Sequence, residues 1–411
     1  MKKNCFAYFI SIKDTHNLKR IMSNDSNTFS NFSKEFGNIF IINLYNLNFG
    51  VKKVDNSNFF SQLELGNKYI YFEPKNLKSF KEFIHEKKIC GVVSFGIYLS
   101  NMKLLYNLKQ KNIKLFQISN VGNVNISNLF YFSSNFIKNF FSIITHRLSH
   151  ILIVILSNLN ILPKVEIRFL SNKRWLPNES KNNLFKKIFN KLNLRFAKRL
   201  EIINSRSFDI LMEDKKELSE KYITVLDEIW NDPQYLIYRD KISDTKLNEH
   251  YKNLNKKLEM ISNFLNKEII VCIHPNDNFE EKKNFFPNYK VKKYLTRDYI
   301  YQSKIIMLFE SSAIIDAIIL KKKIITLSSN LMDHSQKYHQ NHFNNELKIE
   351  NLNLQDDLIF DEQTKKKFAY DEEKINFYYE KYIKKNIAAD ESRMMGYKKV
   401  SQILKEEFFN E

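Results

Sequence analysis

Glycine is scarce in this 411-residue chain, which contains only seven. Dinucleotide-binding sites and P-loops need a glycine-rich turn between a strand and a helix, where the backbone comes close to a phosphate. No glycine here begins a GxGxxG or GxxxxGK[ST] sequence; the positions are 37, 50, 66, 91, 96, 122 and 396. The sequence therefore disfavours a dinucleotide-dependent oxidoreductase and a P-loop kinase.

Cysteine is also rare, and its three copies, Cys5, Cys90 and Cys272, lie far apart. There is no CxxC sequence that could combine with histidines in a structural zinc site. A disulfide framework and a structural zinc site are therefore disfavoured. We expect a cytoplasmic protein with no metal and no resident cofactor.

Long uninterrupted apolar runs are missing as well. Spanning a bilayer takes roughly 20 mostly apolar residues, but the most apolar segment, 139–162, is interrupted by two histidines, an arginine and repeated asparagine. The start, MKKNCFAYFISIKD, superficially resembles a signal peptide. Its apolar stretch is short and ends in Lys13 and Asp14 without a small-residue cleavage site, so a first β-strand is predicted instead.

Positive charge is abundant by contrast, with a net charge of +19. Such a charge suits nucleic acid, an anionic membrane surface, or acidic substrates such as nucleotide sugars and lipid-linked phosphates. Charge alone does not choose among them. Nucleic acid is disfavoured because the chain lacks a stacking aromatic motif of the RNA-binding type.

The chain is long enough for two domains, and strand-like and helix-like runs alternate in two stretches. In 1–126, CFAYFISI and ICGVVSFG flank the helical NLKSFKEFIHEKK, and in 201–335 EIIVCIHP and SKIIMLF continue the alternation. This rhythm predicts βαβ units and parallel sheets. We expect an α/β fold of two Rossmann-like domains facing a cleft. Residues 127–200 are predicted to form a mainly helical connecting region that is broken by Pro163 and by a strand, VEIRFLS. Residues 336–411 are predicted to form a helical segment packing across the domains.

One basic segment, LFKKIFNKLNLRFAKRL at 184–200, has apolar residues at four-residue steps with basic residues between them. The spacing predicts an amphipathic helix. Such a helix could pack between domains with a solvated charged face, or it could lie on an anionic membrane surface.

Two adjacent serines follow a predicted strand in LFESSAIIDAIIL, residues 308–320. Ser311 and Ser312 are expected at the cap and first turn of the next helix, where their hydroxyls either cap the helix or donate to a ligand. A helix N-terminus also favours an anion such as phosphate. Asp316, one turn later, could complete a capping box with Ser312.

Two other predicted strands end in polar residues. His274 and Pro275 end the strand of IIVCIHPND, at the edge where open α/β sheets bind ligands, and the proline would fix the turn. The histidine could donate to a phosphate or a glycosidic oxygen, or simply be hydrogen-bonded. Asp227 and Glu228, in VLDEIWNDP, could act as a general base, contact sugar hydroxyls or bond the following loop. Further polar residues just downstream could line the same cleft: Asp232, Tyr235 and Arg239.

As an ordered set, the motifs between about 200 and 330 resemble the carboxyl-terminal half of bacterial surface-polysaccharide proteins, regarded as GT-B-type glycosyltransferases or close relatives. The elements that carry the resemblance are NSRSFD, YITVLDEIW, YKNLNKKLEMI, IIVCIHPND and LFESSAIIDAIIL. In bacterial sialyltransferases and Kdo transferases, similarly placed His-Pro and serine motifs hold the nucleotide phosphate of a CMP-sugar. The resemblance implies that His274, Pro275, Ser311 and Ser312 bind the donor phosphate, with Glu310 contacting the ribose.

The sequence thus predicts a metal-independent glycosyltransferase, with Asp227, Glu228 and His274 as catalytic candidates. The donor would be a nucleotide-sugar, with a CMP-sugar favoured over a UDP-sugar. The acceptor would be a surface polysaccharide or lipid-linked glycan, bound by the first domain, and peripheral contact with an anionic membrane is compatible with the charge. The alternatives are an alditol-phosphate transferase or nucleotide-sugar epimerase on the same scaffold, and a non-catalytic glycan- or nucleic-acid-binding protein.

Overall fold

Thirteen parallel strands in two separate sheets organise the part of the chain that this computed structural model describes. The described residues are 5–11, 26–45, 47, 69–94, 102–119, 151–170, 197–214, 216–231, 241–275, 277–386 and 394–409. The strands are β1 Cys5–Ile10, β2 Ile39–Asn43, β3 Tyr69–Phe72, β4 Ile89–Ser94, β5 Lys114–Ser119, β6 Val165–Leu170, β7 Ala197–Ile202, β8 Tyr222–Leu226, β9 Glu268–Ile273, β10 Lys290–Lys293, β11 Ser303–Leu308, β12 Lys323–Ser328 and β13 Glu350–Asn353.

The described helices alternate with these strands. They are α1 Ser26–Phe36, α2 Leu77–Glu86, α3 Met102–Gln110, α4 over 151–158, α5 Arg206–Glu213, α6 Asp244–Leu265, α7 Phe279–Phe285, α8 Thr296–Tyr301, α9 Ile314–Ile319, α10 His334–Leu347, α11 Glu362–Phe368, α12 Glu372–Asn386 and α13 Gly396–Phe409. The chain divides into two units. The first comprises Met1–Val121, Ile144–Asp209 and Lys385–Glu411, and the second Gly122–Ile143 and Ile210–Lys384.

The sheet of the first unit has the strand order β3-β2-β1-β4-β5-β6-β7. Strand β1 lies inside this sheet and is buried on both faces. Successive side chains of a strand point to opposite sides. Phe6 and Tyr8 enter one core cluster, and Ala7 and Phe9 enter the other. Helices α1 and α13 cover the first face, whereas α2, α3 and α4 cover the second. A parallel sheet needs cover on both faces, so the last helix of the chain completes the amino-terminal unit.

The last helix is held by the sequence NSRSFD, residues 204–209. The buried carboxylate of Asp209 accepts hydrogen bonds from the backbone N–H of Gly396, at 2.8 Å, and of Tyr397, at 3.1 Å. It therefore satisfies two N–H groups at the start of α13. Glycine is needed there, since a Cβ on Gly396 would lie 2.5 Å from the backbone oxygen of Asn204. This contact gives NSRSFD a structural role.

The sheet of the second unit has the order β10-β9-β8-β11-β12-β13, the arrangement of a Rossmann fold. Helices α6, α7 and α11 lie over one face, and α8, α9, α10 and α12 over the other. The strand order reverses between β8 and β11. The loops that follow these two strands therefore leave the sheet at the position where such sheets usually bind ligands.

The predicted pair of Rossmann-like parallel sheets is confirmed. Within the region expected to be mainly helical, the described residues form α4 and strand β6, which covers the predicted strand VEIRFLS, and begin β7; both strands extend the sheet of the first unit. The basic helix predicted at 184–200 is wrong over its last four residues, which belong to β7; residues 184–196 lie outside the described ranges. No helix in the described ranges is long and apolar enough to cross a membrane.

Candidate functional site

Parallel pairing brings the predicted site residues to one edge of the second sheet. Strand β8 lies between β9 and β11, and all three run in the same direction. Their carboxyl ends are Leu226, Ile273 and Leu308, respectively. The predicted site residues therefore follow three neighbouring strand ends. They are Asp227 and Glu228 after β8, His274 and Pro275 after β9, and the run from Glu310 to Ser312 after β11. The other candidates, Asp232, Tyr235 and Arg239, lie outside the described residues.

The carboxylate of Asp227 is fully buried beneath this edge, with none of its side-chain surface exposed. Its Oδ2 accepts hydrogen bonds from Lys282 Nζ, at 2.5 Å, and from the Tyr251 hydroxyl, at 3.1 Å. Lys282 Nζ also donates to Tyr251 and to the backbone oxygen of Glu228, and lies 3.1 Å from Asp277 Oδ2. We call these five residues, Asp227, Glu228, Tyr251, Asp277 and Lys282, the ionic cluster.

Burial argues against the role of general base predicted for Asp227. A base must come within hydrogen-bonding distance of the proton that it removes, and this carboxylate faces a lysine and a tyrosine instead. Glu228 is a buried residue as well, and its backbone oxygen is bound by Lys282. The geometry fits both residues better as supports of the strand end than as groups that touch a substrate.

Electrostatics keep Lys282 of the ionic cluster charged. Burial opposes the ammonium of Lys282, but the carboxylates of Asp227 and Asp277 outweigh burial and hold the lysine pKa above its ordinary value. Burial, followed by the charge of Asp227, raises the pKa of Tyr251 well above that of a free tyrosine. Tyr251 is therefore a neutral donor. A buried pair of this kind is costly to break, because removing one partner leaves an uncompensated charge.

An aromatic group joins the loops that follow β8 and β11. The ring of Trp230 lies 5.1 Å from that of Phe309 and 4.9 Å from that of His250, measured between centroids. His250 Nδ1 lies 3.0 Å from the hydroxyl of Ser329, just after β12. Burial lowers the pKa of His250 to about 4, while the charges of Asp227 and Lys282 act in opposite directions. The imidazole is therefore neutral near pH 7.

The His-Pro turn is fixed by its own contacts. His274 and Pro275 directly follow β9 and are half-buried at the edge. The backbone oxygen of His274 accepts from the N–H of Asp277 at 3.0 Å, and the oxygen of Pro275 accepts from the hydroxyl of Tyr294 at 3.2 Å. Asp277 is in turn paired with Lys282. The turn that presents His274 is thus tied to the ionic cluster.

The serine run is open to solvent. Glu310 and Ser312 are exposed and Ser311 is half-exposed. Helix α9 begins at Ile314 with Ala313 as its cap residue and no side-chain cap, so the predicted serine cap is wrong; Ser311 Oγ instead accepts from the N–H of Ala313 at 3.3 Å.

The capping box predicted between Ser312 and Asp316 is also wrong. The carboxylate of Asp316 accepts from Nε of Arg297 at 3.1 Å, so it turns towards α8 and away from the serines. Beneath the run, Gln340 Nε2 donates to the backbone oxygens of Phe309, at 2.7 Å, and of Leu327, at 2.8 Å. Ser311 and Ser312 therefore follow a strand end that the side chain of Gln340 holds in place.

Sequence reasoning missed three residues of this edge: Lys282, Tyr251 and His250. Lysine is so common in the chain that Lys282 carries no signal of its own. Tyr251 could have been placed, because Leu247, Tyr251, Leu254 and Leu258 are spaced as the buried face of α6. Among the residues whose positions are described, no three histidine, cysteine or acidic side chains gather where they could hold a metal ion.

The comparisons with known proteins define the class of fold. No protein-family model and no curated protein sequence matches the chain. A solved structure described as the glycotransferase of kitacinnamycin is similar, with a TM-score of 0.53 and 7% identity over 98% of this chain and 99% of that one. A putative UDP-N-acetylglucosamine 2-epimerase from Listeria monocytogenes is also similar, with a TM-score of 0.52 and 9% identity over 100% of this chain and 98% of that one. At such low identity the likeness shows the fold alone, which is GT-B-like.

Proposed function

We propose that the chain is a glycosyltransferase that moves a sugar from a nucleotide-sugar donor to a glycan acceptor. The observation that carries this proposal is the edge at the β8–β11 reversal, where exposed polar side chains stand on strand ends fixed by buried contacts. The GT-B-like fold and the likeness to a structure described as a glycotransferase support it. In the reaction, the bond between the anomeric carbon and the donor phosphate breaks. The acceptor oxygen bonds to the anomeric carbon and gives up its proton to the surrounding water, and the nucleotide leaves with the bonding electrons.

The donor phosphate is assigned to the open side of the edge. Ser312 is exposed and Ser311 half-exposed, so their hydroxyls can reach a ligand without disturbing the core. His274, at the neighbouring turn, can donate to the leaving phosphate, and preorganised donors of this kind stabilise developing charge. Glu310 would repel a phosphate but can accept from ribose hydroxyls. Pro275 shapes the turn, and Asp227 and Glu228 position it from below.

A screen of nucleotides by thermal shift tests the donor class. We expect one nucleotide base to raise the melting temperature, because a ligand that binds only the folded state stabilises it. The sequence resemblance favours CMP, with UDP as the alternative. His274→Ala should reduce the shift. His85→Ala, in α2 of the first unit, is the matched control and should leave it unchanged. If no nucleotide shifts the wild-type protein, the proposal fails.

A nucleotide-sugar epimerase is the second candidate, favoured by the likeness to the putative 2-epimerase. The two activities differ in their need for an acceptor. Incubation with the nucleotide-sugar chosen by the screen should release free nucleotide only when a glycan acceptor is added. Isomerised sugar in the absence of acceptor would replace the transferase with the epimerase. Transfer of an alditol phosphate would appear instead as release of a nucleoside monophosphate from a CDP-alditol.

A further inference from the structure

A long stretch of the chain, most of it in the first unit, contains no acidic residue. Between residues 87 and 165 there are nine lysines and arginines and not one aspartate or glutamate. With 46 acids in 411 residues, a stretch of this length would be expected to contain about nine. The surface contributed by the described residues of this stretch therefore carries positive charge only.

Helices α3 and α4 of this stretch lie side by side over the same face of the sheet. Leu104 and Leu108 of α3 and Ile153 and Val154 of α4 enter one core cluster. The two helices are also joined at their ends, where Lys109 Nζ donates to Asn160 Oδ1 at 2.6 Å. Their outer sides therefore lie on the same side of the sheet, and we call this surface the α3–α4 face.

The α3–α4 face is unusually apolar for an outer surface. Leu152, Ile155 and Leu159 have the spacing of one helical stripe, and all three are exposed. The exposed fractions of its large apolar residues lie between 37% and 64%; these residues are Met102, Tyr106, Leu152, Ile155, Leu159 and Ile161. Lys103 and Lys111 are exposed on α3 and in the turn after it. Isolated exposed apolar residues are ordinary, but a cluster rimmed by charge marks an interaction site.

We propose that the α3–α4 face docks on the surface of an anionic lipid bilayer. Aliphatic side chains gain free energy when they enter the boundary between headgroups and acyl chains, and lysines are attracted to anionic headgroups. Nucleic acid would use the lysines but gain little from leucine and isoleucine, since its bases stack on aromatic rings. The absence of acids suits a partner that is uniformly negative. This proposal does not depend on the nucleotide site, which lies in the other unit.

Sedimentation of the full-length chain with vesicles tests the proposal. We expect binding to vesicles that contain about one third phosphatidylglycerol, weakening at high salt, and little binding to pure phosphatidylcholine. Ile155→Asn/Leu159→Asn should lower the partition coefficient about tenfold by removing buried apolar area. Lys103→Glu/Lys111→Glu should lower it at least as much on the anionic vesicles, by reversing two charges. Since all four side chains are exposed, the melting temperature should not change.

Matched variants in the second unit provide the controls. Leu218→Asn/Ile359→Asn changes two apolar residues that are also exposed, and Lys252→Glu/Lys256→Glu reverses two exposed lysines of α6. Both should bind vesicles like the wild type. Equal binding by all variants, or no binding to anionic vesicles, would overturn the proposal. It is also overturned if vesicle binding is absent and a DNA oligonucleotide binds through the lysines, or if the apolar pair only disrupts a dimer.

Discussion

The residues that directly follow the neighbouring strands β8 and β11 include acidic side chains in both cases. Asp227 and Glu228 after β8 are buried, and we call this segment the closed loop, whereas the run from Glu310 to Ser312 after β11 reaches solvent, and we call it the open loop. After β8, the carboxylate of Asp227 is buried against Lys282 and Tyr251. After β11, Glu310 and Ser312 are exposed above a strand end that Gln340 holds. Asp227 therefore supports the edge of the sheet, whereas the exposed side chains after β11 can contact a ligand. Changes in the closed loop should therefore alter stability, and changes in the open loop should alter binding.

Breaking the ionic cluster should have the largest effect. Lys282→Met leaves Asp227 buried without its cation, which should lower the free energy of unfolding of the second unit by about 3–5 kcal/mol. Denaturant unfolding followed by the fluorescence of Trp230 measures this, in a Trp175→Phe background where Trp230 is the only tryptophan. Lys290→Met, which breaks the exposed pair with Glu268, is the control and should leave the unfolding midpoint unchanged. Similar midpoints for both variants would refute a supporting role.

The neutral His250 predicts a pH dependence of stability. The unfolded chain protonates this histidine below its ordinary pKa of 6.5, whereas the folded chain does so only near pH 4. Unfolding therefore takes up a proton between these values, and the free energy of unfolding should fall by up to about 3 kcal/mol as the pH drops from 6.5 to 4. In His250→Phe this part of the pH dependence should vanish. Parallel curves for wild type and variant would contradict the assignment.

The first unit offers a contrasting buried carboxylate. Asp209 accepts from two N–H groups at the start of α13 rather than from a lysine. Asp209→Ala should cost about 1–2 kcal/mol, the usual cost of losing a helix cap. Asp209→Asn keeps one acceptor and should cost less. Hydrogen exchange of the amides of α13 measures this, and protection that is unchanged in Asp209→Ala would show that the helix does not depend on this cap.

Substitution of Glu310 should have the smallest effect, and the direction of the change in ligand affinity tests the role of this residue. If its carboxylate binds ribose hydroxyls, Glu310→Gln should weaken nucleotide binding about threefold and leave inorganic pyrophosphate binding unchanged. If Glu310 only lies beside the phosphate, removing its charge should strengthen binding of both ligands. Calorimetry distinguishes these outcomes. Glu259→Gln, on the exposed side of α6, is the control and should change neither affinity.

Sequence patterns predicted the strands that are buried on both faces. They failed for elements whose secondary structure depends on tertiary contacts. Strands such as β4 and β9 are continuous apolar runs, so they were visible. Among the described strands, edge strand β7 pairs with β6 alone, and it carries Lys198 and Arg199 on exposed positions, so its sequence resembles a basic helix. The same apolar runs also predicted that the site residues lie at strand ends. The apolar runs did not predict the partners of Asp227, because Tyr251 and Lys282 belong to later helices and contact it only in the folded protein.

The measurement that tests the central claim most directly is nucleotide binding to the open loop. Calorimetry should compare the wild type, Ser311→Ala/Ser312→Ala and the control Glu259→Gln, using the nucleotide that gives the largest thermal shift. Loss of hydrogen bonds to a charged phosphate should weaken binding by the double-alanine variant at least tenfold, with no loss of stability. Equal affinities for all three proteins would show that the open loop after β11 does not hold the nucleotide.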